Sequence, residues 1–311
     1  TLRPHQEAAV TDVTEGFKSS DRGQLIMACG TGKTLTSLRL AERVVGAGGR
    51  VLFLVPSINL LSQSVKAWAN DATVPLATFA VCSDTHAGRR RNDEDMSAND
   101  LSVPASTNTD TLMRAIDARA SKSSMSVVFS TYQSIDVITQ AQQQAGLGRF
   151  DLVICDEAHR TTGAFTDIDD QSMFTKVHFN EFVDSDRRLY MTATPRVYGD
   201  QAKAKAADAD VLVASMDDRS TFGPVFHELG FGDAVAQQLL TDYKVLVLAV
   251  NEDAVSSAFQ RQLAGTDGDL ALDDVAKIVG CWHGLSKRGP QFEGDNTPMR
   301  RAVAFSSTIK Q

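Results

Sequence analysis

At 311 residues, with 42% apolar and 23% charged side chains, the chain has the make-up of a soluble globular protein of one large or two ordinary domains. Its longest apolar runs, VLFLV and VLVLAV, are strand-sized, so no membrane span is expected, and no basic, apolar leader precedes the first helix. A formal net charge of −8 excludes a blanket attraction to nucleic acid, and four cysteines (29, 82, 155, 281), never in CxxC spacing, exclude a zinc ribbon or disulfide framework and fit a reducing cytoplasm.

Taken in order, Pro4 to Lys18 reads as an amphipathic helix, with proline in its first turn and Ala9, Val13 and Phe17 four apart. A short apolar strand, Leu25 to Ala28, then runs into a turn ending Gly30-Thr31-Gly32-Lys33-Thr34 that opens a second helix. This is the layout of a phosphate-binding loop. Gly30 and Gly32 permit positive φ and let backbone N–H groups converge on a polyphosphate at the helix N-terminus. Lys33 is suited to the β and γ phosphates of ATP and Thr34 to Mg²⁺. The strict pattern G-x-x-x-x-G-K-[ST] is not met, because its first glycine falls on Met27. Cys29 lies within the loop, so its alkylation is expected to block nucleotide binding if the thiol is exposed.

The second helix carries Leu35, Leu38, Ala41 and Val45 inward and stops at Gly48-Gly49; Val51 to Val55 is the next strand, and this crossover requires a parallel sheet. Ser57 is placed to cap a helix with Leu60, Leu61, Val65 and Trp68 on its apolar side, and Ala77 to Cys82 is a further strand. Ser83 to Thr109, rich in Ser, Asp, Asn and Arg, reads as a long surface excursion. Its Arg89 to Arg91 run is followed at once by Asp93, Glu94 and Asp95 and reads as solvated. A helix through Leu112, Ile116 and Ala120, a strand Val127 to Ser130 and a helix through Tyr132, Ile135 and Ile138 follow.

Leu152 to Cys155 then forms a buried strand that delivers Asp156 and Glu157 at its carboxyl end, where nucleotide sites of doubly wound sheets lie. With the phosphate loop upstream, Asp156 can hold the metal through its water shell, and Glu157 can orient and deprotonate an attacking water. Arg188 to Ala193 is one more strand, closed by Thr194-Pro195. Gln201 to Asp210 reads as a short solvent-facing helix, and the glycines and Pro224 between Phe222 and Gly232 mark the edge of a first domain. Beyond it lie an expected strand Val245 to Val250, a helix Asp273 to Leu285 and a strand Arg301 to Phe305, too few for a complete second domain. His5, His86, His178, His227 and His283 lack metal-ligand spacing and read as ordinary surface or core side chains; Trp68 and Trp282 read as core anchors.

In this order the phosphate loop, Asp156-Glu157-Ala158-His159 and Thr192-Ala193-Thr194-Pro195 resemble the superfamily 2 helicases and translocases. The likeness covers residues 1 to 232 and implies an α/β fold: a RecA-like P-loop domain whose mainly parallel sheet is flanked by helices. Residues 233 to 311 would be a connector and the start of a second RecA-like domain, with Phe305-Ser306 similar to motif IV. Leu2-Arg3-Pro4-His5-Gln6 is similar to the Q-type motif, placing Arg3 and Gln6 at the adenine. Met27 to Thr34 resembles motif I as this group writes it, which accounts for Met27. His159, Thr192 and Thr194 are the residues that the resemblance assigns to coupling between nucleotide and nucleic acid.

Pro56 and Ser57 with Gln63 resemble motif Ia, and Thr131, Tyr132 and Gln133 the segment that lies along a nucleic-acid backbone; Ser57 and Thr131 are equally suited to capping helices. DEAHRTTG and YMTATPR are similar to the restriction-enzyme group, closest to single-chain enzymes whose motor lies between a nuclease and a methyltransferase. The resemblance thus implies an ATP- and Mg-dependent motor on double-stranded DNA. An RNA or single-strand helicase and an ATP-gated clamp that does not travel remain alternatives. Motifs V and VI are not found, so the chain alone is expected to bind Mg-ATP and turn it over slowly.

Overall fold

The computed structural model describes residues 1–82, 106–165, 173–201, 204, 212–243, 281–282, 284–287 and 297–301. Two compact units are present, Thr1–Thr241 and Asp242–Gln311. In the first, α1 (Pro4–Gly16) leads to β1 (Arg22–Met27), α2 (Lys33–Val44), β2 (Arg50–Val55), α3 (Ile58–Asp71) and β3 (Leu76–Val81). After α4 (Thr109–Arg119) come β4 (Met125–Thr131), α5 (Ile135–Gln144), β5 (Leu152–Cys155), β6 (Gly163–Phe165), β7 (Arg188–Thr192), β8 (Leu212–Ala214), α6 (Arg219–Phe222), β9 (Val225–Leu229) and α7 (Phe231–Ala236).

Seven strands pair in the order β3-β4-β2-β5-β7-β1-β9, and every pairing is parallel. Such a sheet must be covered on both faces, and its strands, the edge strand β9 excepted, are accordingly buried at nearly every position. Val51, Phe53 and Val55 point into the layer of α1, α2 and α3, whereas Leu52 and Leu54 point into that of α4 and α5. Trp68 of α3 closes the first layer edge-on against Phe53 and Phe129, with ring centroids 5.2 and 5.5 Å away. Trp282, in contrast, is half exposed rather than a core anchor.

The strand order fixes the site. β1 and β2 are joined by α2 yet separated in the sheet by β7 and β5, so the crossover opens a crevice over the carboxyl ends of β5, β7 and β1. Registers align those ends: Ile26 lies beside Thr192, and Cys155 beside Tyr190. Neighbouring strands being about 4.8 Å apart, residues that follow Cys155, Met191 and Met27 necessarily converge.

The stretch expected to mark a domain edge, Phe222 to Gly232, instead supplies β9, which pairs with β1, and the start of α7, whose Ala234 is fully buried. Pro224 is tolerated because it precedes the strand, where its carbonyl accepts from Gln24 N–H at 2.9 Å. The first compact unit runs to Thr241. The excursion at 83–105, the strands at 245–250 and 302–305, the arginine run, His86, His283, motif IV and most of the helices at 201–210 and 273–285 lie outside the described residues.

Candidate active site

The phosphate loop spans Ala28 to Gly32. Gly30 and Gly32 hold φ of 84° and 92°, values that L side chains rarely adopt, and Gly32 is the N-cap of α2. The first amides of a helix lack intrahelical acceptors; those of Lys33 and Thr34 find no backbone acceptor among the described residues. The loop is braced from within by Thr31, whose hydroxyl donates to Ala28 O at 2.7 Å, and from the sheet by Ala28 N–H on Leu229 O at 2.9 Å. Lys33 Nζ donates to Met27 O at 3.2 Å, which keeps its ammonium over the loop, and Thr34 is half-buried behind it. Cys29 is exposed, which meets the condition for its alkylation.

Gln6 and Arg3 enter from the start of α1. Gln6 is buried, accepts from Arg3 N–H at 2.9 Å and directs Nε2 at the carbonyls of Thr31 and Gly32, each 3.4 Å away. A Cβ on Gly32 would sit 2.3 Å from that nitrogen, so the loop and the glutamine are shaped to each other. His5, read as an ordinary side chain, belongs here too. It is buried, and its Nε2 lies 2.9 Å from Thr31 O; a carbonyl only accepts, so that nitrogen carries the proton. Only its place beside Gln6 at a helix start could have pointed to this role.

At the end of β5 the backbone turns sharply. Glu157 has φ 50° and ψ 46°, a left-handed conformation unusual for a residue with a side chain and of a kind that clusters at functional sites. Asp156 accepts from Glu157 N–H at 3.0 Å, and its own N–H donates to Leu54 O at 2.9 Å. Burial first, then the negative charge of Glu157, pushes the Asp156 carboxyl up to about 6, and the nearby Lys33 ammonium opposes that rise. His159 Nδ1 is 3.0 Å from Thr192 Oγ1 and 3.4 Å from Glu157 Oε2, while Thr194 N–H donates to the same Thr192 hydroxyl at 3.1 Å. A continuous polar chain thus runs from Glu157 through His159 and Thr192 to Thr194. Burial holds His159 below the usual histidine range, with Arg160, Arg196 and Lys33 adding to the effect against Glu157, so at neutral pH it bridges as an uncharged ring.

The residues expected along a nucleic-acid strand divide in two. Ser57 and Gln133, just past the carboxyl ends of β2 and β4, and Gln63, on α3, are exposed. Ser57 also caps α3 through Leu60 N–H, and Gln133 donates to the carbonyl of Pro56, itself buried, at 3.2 Å. Thr131 and Tyr132 correct the expectation: both are buried. Thr131 donates to Ser134 Oγ at 3.2 Å, and Tyr132 donates to Asp156 O at 2.9 Å from within the core layer of α4 and α5.

A loop able to wrap a polyphosphate, next to strands ending in paired carboxylates and a bridging hydroxyl, places this domain in the class of P-loop nucleotide-driven motors of the helicase kind. Within that class the chain belongs to the family of the Type III restriction enzyme res subunit, whose family model matches residues 1–197. Across 99% of its length it is similar, at 43% identity and a TM-score of 0.82, to 20% of the ATP-dependent Type ISP restriction-modification enzyme LlaBIII bound to DNA. Across 90% it is similar, at 33% identity and a TM-score of 0.60, to 26% of a nuclease-deletion mutant of the Type ISP enzyme LlaGI in complex with a DNA substrate mimic. It is also 25% identical over 248 residues to the probable helicase A859L of African swine fever virus, covering 79% of this chain and 24% of the viral protein. The chain therefore spans about a quarter or less of the relatives it matches.

Proposed function

We propose that this chain is the first RecA-like motor domain, with the opening of a second at 233–311, of an ATP-driven double-stranded DNA translocase of restriction-modification type. The observation that carries this reading is the adjacency of β5, β7 and β1, which brings Asp156 and Glu157, Thr192 and the phosphate loop to one crevice. The cradle fits ATP and magnesium: two glycines at positive φ, free helix amides, an ammonium, a hydroxyl and a carboxylate meet there.

In this reading the amides after Gly30 and the ammonium of Lys33 hold the β and γ phosphates, and Arg3 and Gln6 face the base. Thr34 and Asp156 hold Mg²⁺, which supplies neutralisation of phosphate charge when bound. Glu157 orients a water in line with the γ phosphorus and takes its proton. His159, tied to Thr192, senses the loss of that phosphate and passes the change to Thr194 and to Ser57, Gln63 and Gln133 on the DNA backbone. Nuclease and methyltransferase domains elsewhere in the parent chain complete the reading, and four cysteines outside any disulfide accord with a cytoplasmic setting.

Mg-ATP turnover of the full-length parent protein, with duplex DNA of several lengths, single-stranded DNA and RNA, tests it. Turnover that rises with duplex length is expected. Stimulation by RNA alone would replace the reading with an RNA helicase, and stimulation without length dependence with a stationary clamp.

A further inference from the structure

The hydroxyl of Tyr132 donates to the carbonyl oxygen of Asp156, 2.9 Å away, and also meets the thiol of Cys155 at the end of β5. The ring is fully buried and lies nearly parallel to Phe174, with centroids 5.1 Å apart and planes at 28°. That carbonyl belongs to the peptide joining Asp156 to Glu157, whose other polar group, Glu157 N–H, is held by Asp156 Oδ1 at 3.0 Å. Both ends of this peptide are thus fixed. Rotating a peptide plane changes ψ of the residue before it and φ of the residue after it together. With the chain beyond Glu157 held in place, a relaxation from φ 50° toward the common negative region has to swing the Asp156 carbonyl away from Tyr132. The hydroxyl is therefore a latch on the strained conformation that aims Glu157.

Along the chain, Tyr132 adjoins a residue at the surface of the domain. It follows Thr131, paired beside Val55 at the carboxyl end of the sheet, and precedes Gln133, exposed and bonded to Pro56 O at 3.2 Å. A displacement of the Pro56-Ser57 corner or of Gln133 moves the one-turn segment Tyr132–Ser134, and with it the latch.

We propose that Tyr132 is a positioning residue that couples the surface at Pro56, Ser57 and Gln133 to the Asp156–Glu157 peptide, so that DNA on that surface sets the aim of the hydrolytic carboxylate. This rests on the DNA-motor reading. Tyr132→Phe in the full-length protein keeps the ring and removes the hydroxyl, and with it the latch and the contact to Cys155. The stimulated kcat is expected to fall about tenfold to a hundredfold, as for other groups that orient a metal-binding carboxylate. The ratio of DNA-stimulated to unstimulated turnover falls with it, while the KM for ATP and the affinity for DNA stay within about twofold. Tyr190→Phe, which removes another buried hydroxyl, one bonded to His178, is the control and keeps the wild-type ratio.

In wild-type protein, hydrogen exchange across residues 152–160 is also expected to slow on adding DNA, a measurement that does not depend on a variant folding. An unchanged stimulation ratio in Tyr132→Phe, an equal loss in Tyr190→Phe, or exchange at 152–160 indifferent to DNA would overturn the proposal and leave the motor reading standing. Wild-type turnover indifferent to DNA would overturn both.

Discussion

The two ends of β7 and the segments packed on them treat buried polar groups in opposite ways. At the amino end, Arg188 is fully buried without a salt bridge among the described residues, yet Nε donates to Val177 O at 2.8 Å and Nη2 to Val183 O. Beside it, His178 donates from Nε2 to Thr161 O at 2.9 Å and accepts from the Tyr190 hydroxyl at 3.0 Å, so a neutral tautomer is fully satisfied. At the carboxyl end, Asp156 is half-buried beside a second carboxylate, and Glu157 sits at positive φ. The first arrangement is what folding alone would select. The second costs folding energy, as expected of the cation- and water-binding roles proposed for these carboxylates.

The largest expected effect tests that contrast through chemistry. Glu157→Gln removes the base and the charge pressing on Asp156, and leaves the loop untouched. Turnover of Mg-ATP by the full-length protein should fall about 10²- to 10⁴-fold, the range of a general base, with nucleotide binding retained. Wild-type turnover in a folded Glu157→Gln protein would remove Glu157 from the mechanism and leave its strained backbone without a functional account.

A smaller effect separates the two ends by pH. Asp156, held at about 6 against an ordinary value near 4, binds its proton more tightly in the folded state. Its ionisation therefore costs stability as pH rises from about 4 to 6, on the order of 3 kcal/mol, a cost that stays constant above. His178 is held at about 4 by burial, so its neutral form stabilises above pH ~6.5, and a comparable sum is lost as pH falls from there to about 4. In wild-type protein the two slopes oppose each other. Asp156→Asn, in EDTA without nucleotide, should melt higher than wild type at pH 7.5 and lose stability more steeply between pH 6.5 and 4. An Asn variant that melts at or below the wild-type temperature at pH 7.5 would show that the carboxylate is not a burden on the fold.

How legible all this was in the sequence depended on what dictated each residue. Leu152–Cys155 coincides with its expected strand, and the phosphate loop and Asp156-Glu157 fall at strand ends as read, because that chemistry permits few residue types at fixed spacing. β9 escaped notice because Gly223, Pro224 and Gly230 punctuate it, and its VFHEL pattern is only partly buried at an edge of the sheet. The three-residue pair β6 and β8 is too short for any periodicity to register. His5 and Tyr132 bond to backbone carbonyls distant in sequence, contacts that no local pattern encodes.

The smallest effect concerns the glycine that lets the loop bend without the cost Glu157 carries. Gly32→Ala places a Cβ at φ 92° and 2.3 Å from Gln6 Nε2. The glutamine tip can swing aside, so the steric part is relieved by breaking its two 3.4 Å contacts, but the backbone strain cannot be relieved without moving the first turn of α2. Together these should destabilise the domain by about 1–3 kcal/mol. Because the amides of the cradle move with the turn, affinity for Mg-ATP should fall as well. Adding Gln6→Ala to Gly32→Ala separates the two parts. If the clash dominated, the double variant would recover most of the lost melting temperature; if the left-handed backbone dominates, as the mobility of the glutamine tip argues, it will recover little. Full recovery would mean that Gln6, rather than the φ of residue 32, sets the shape of the loop.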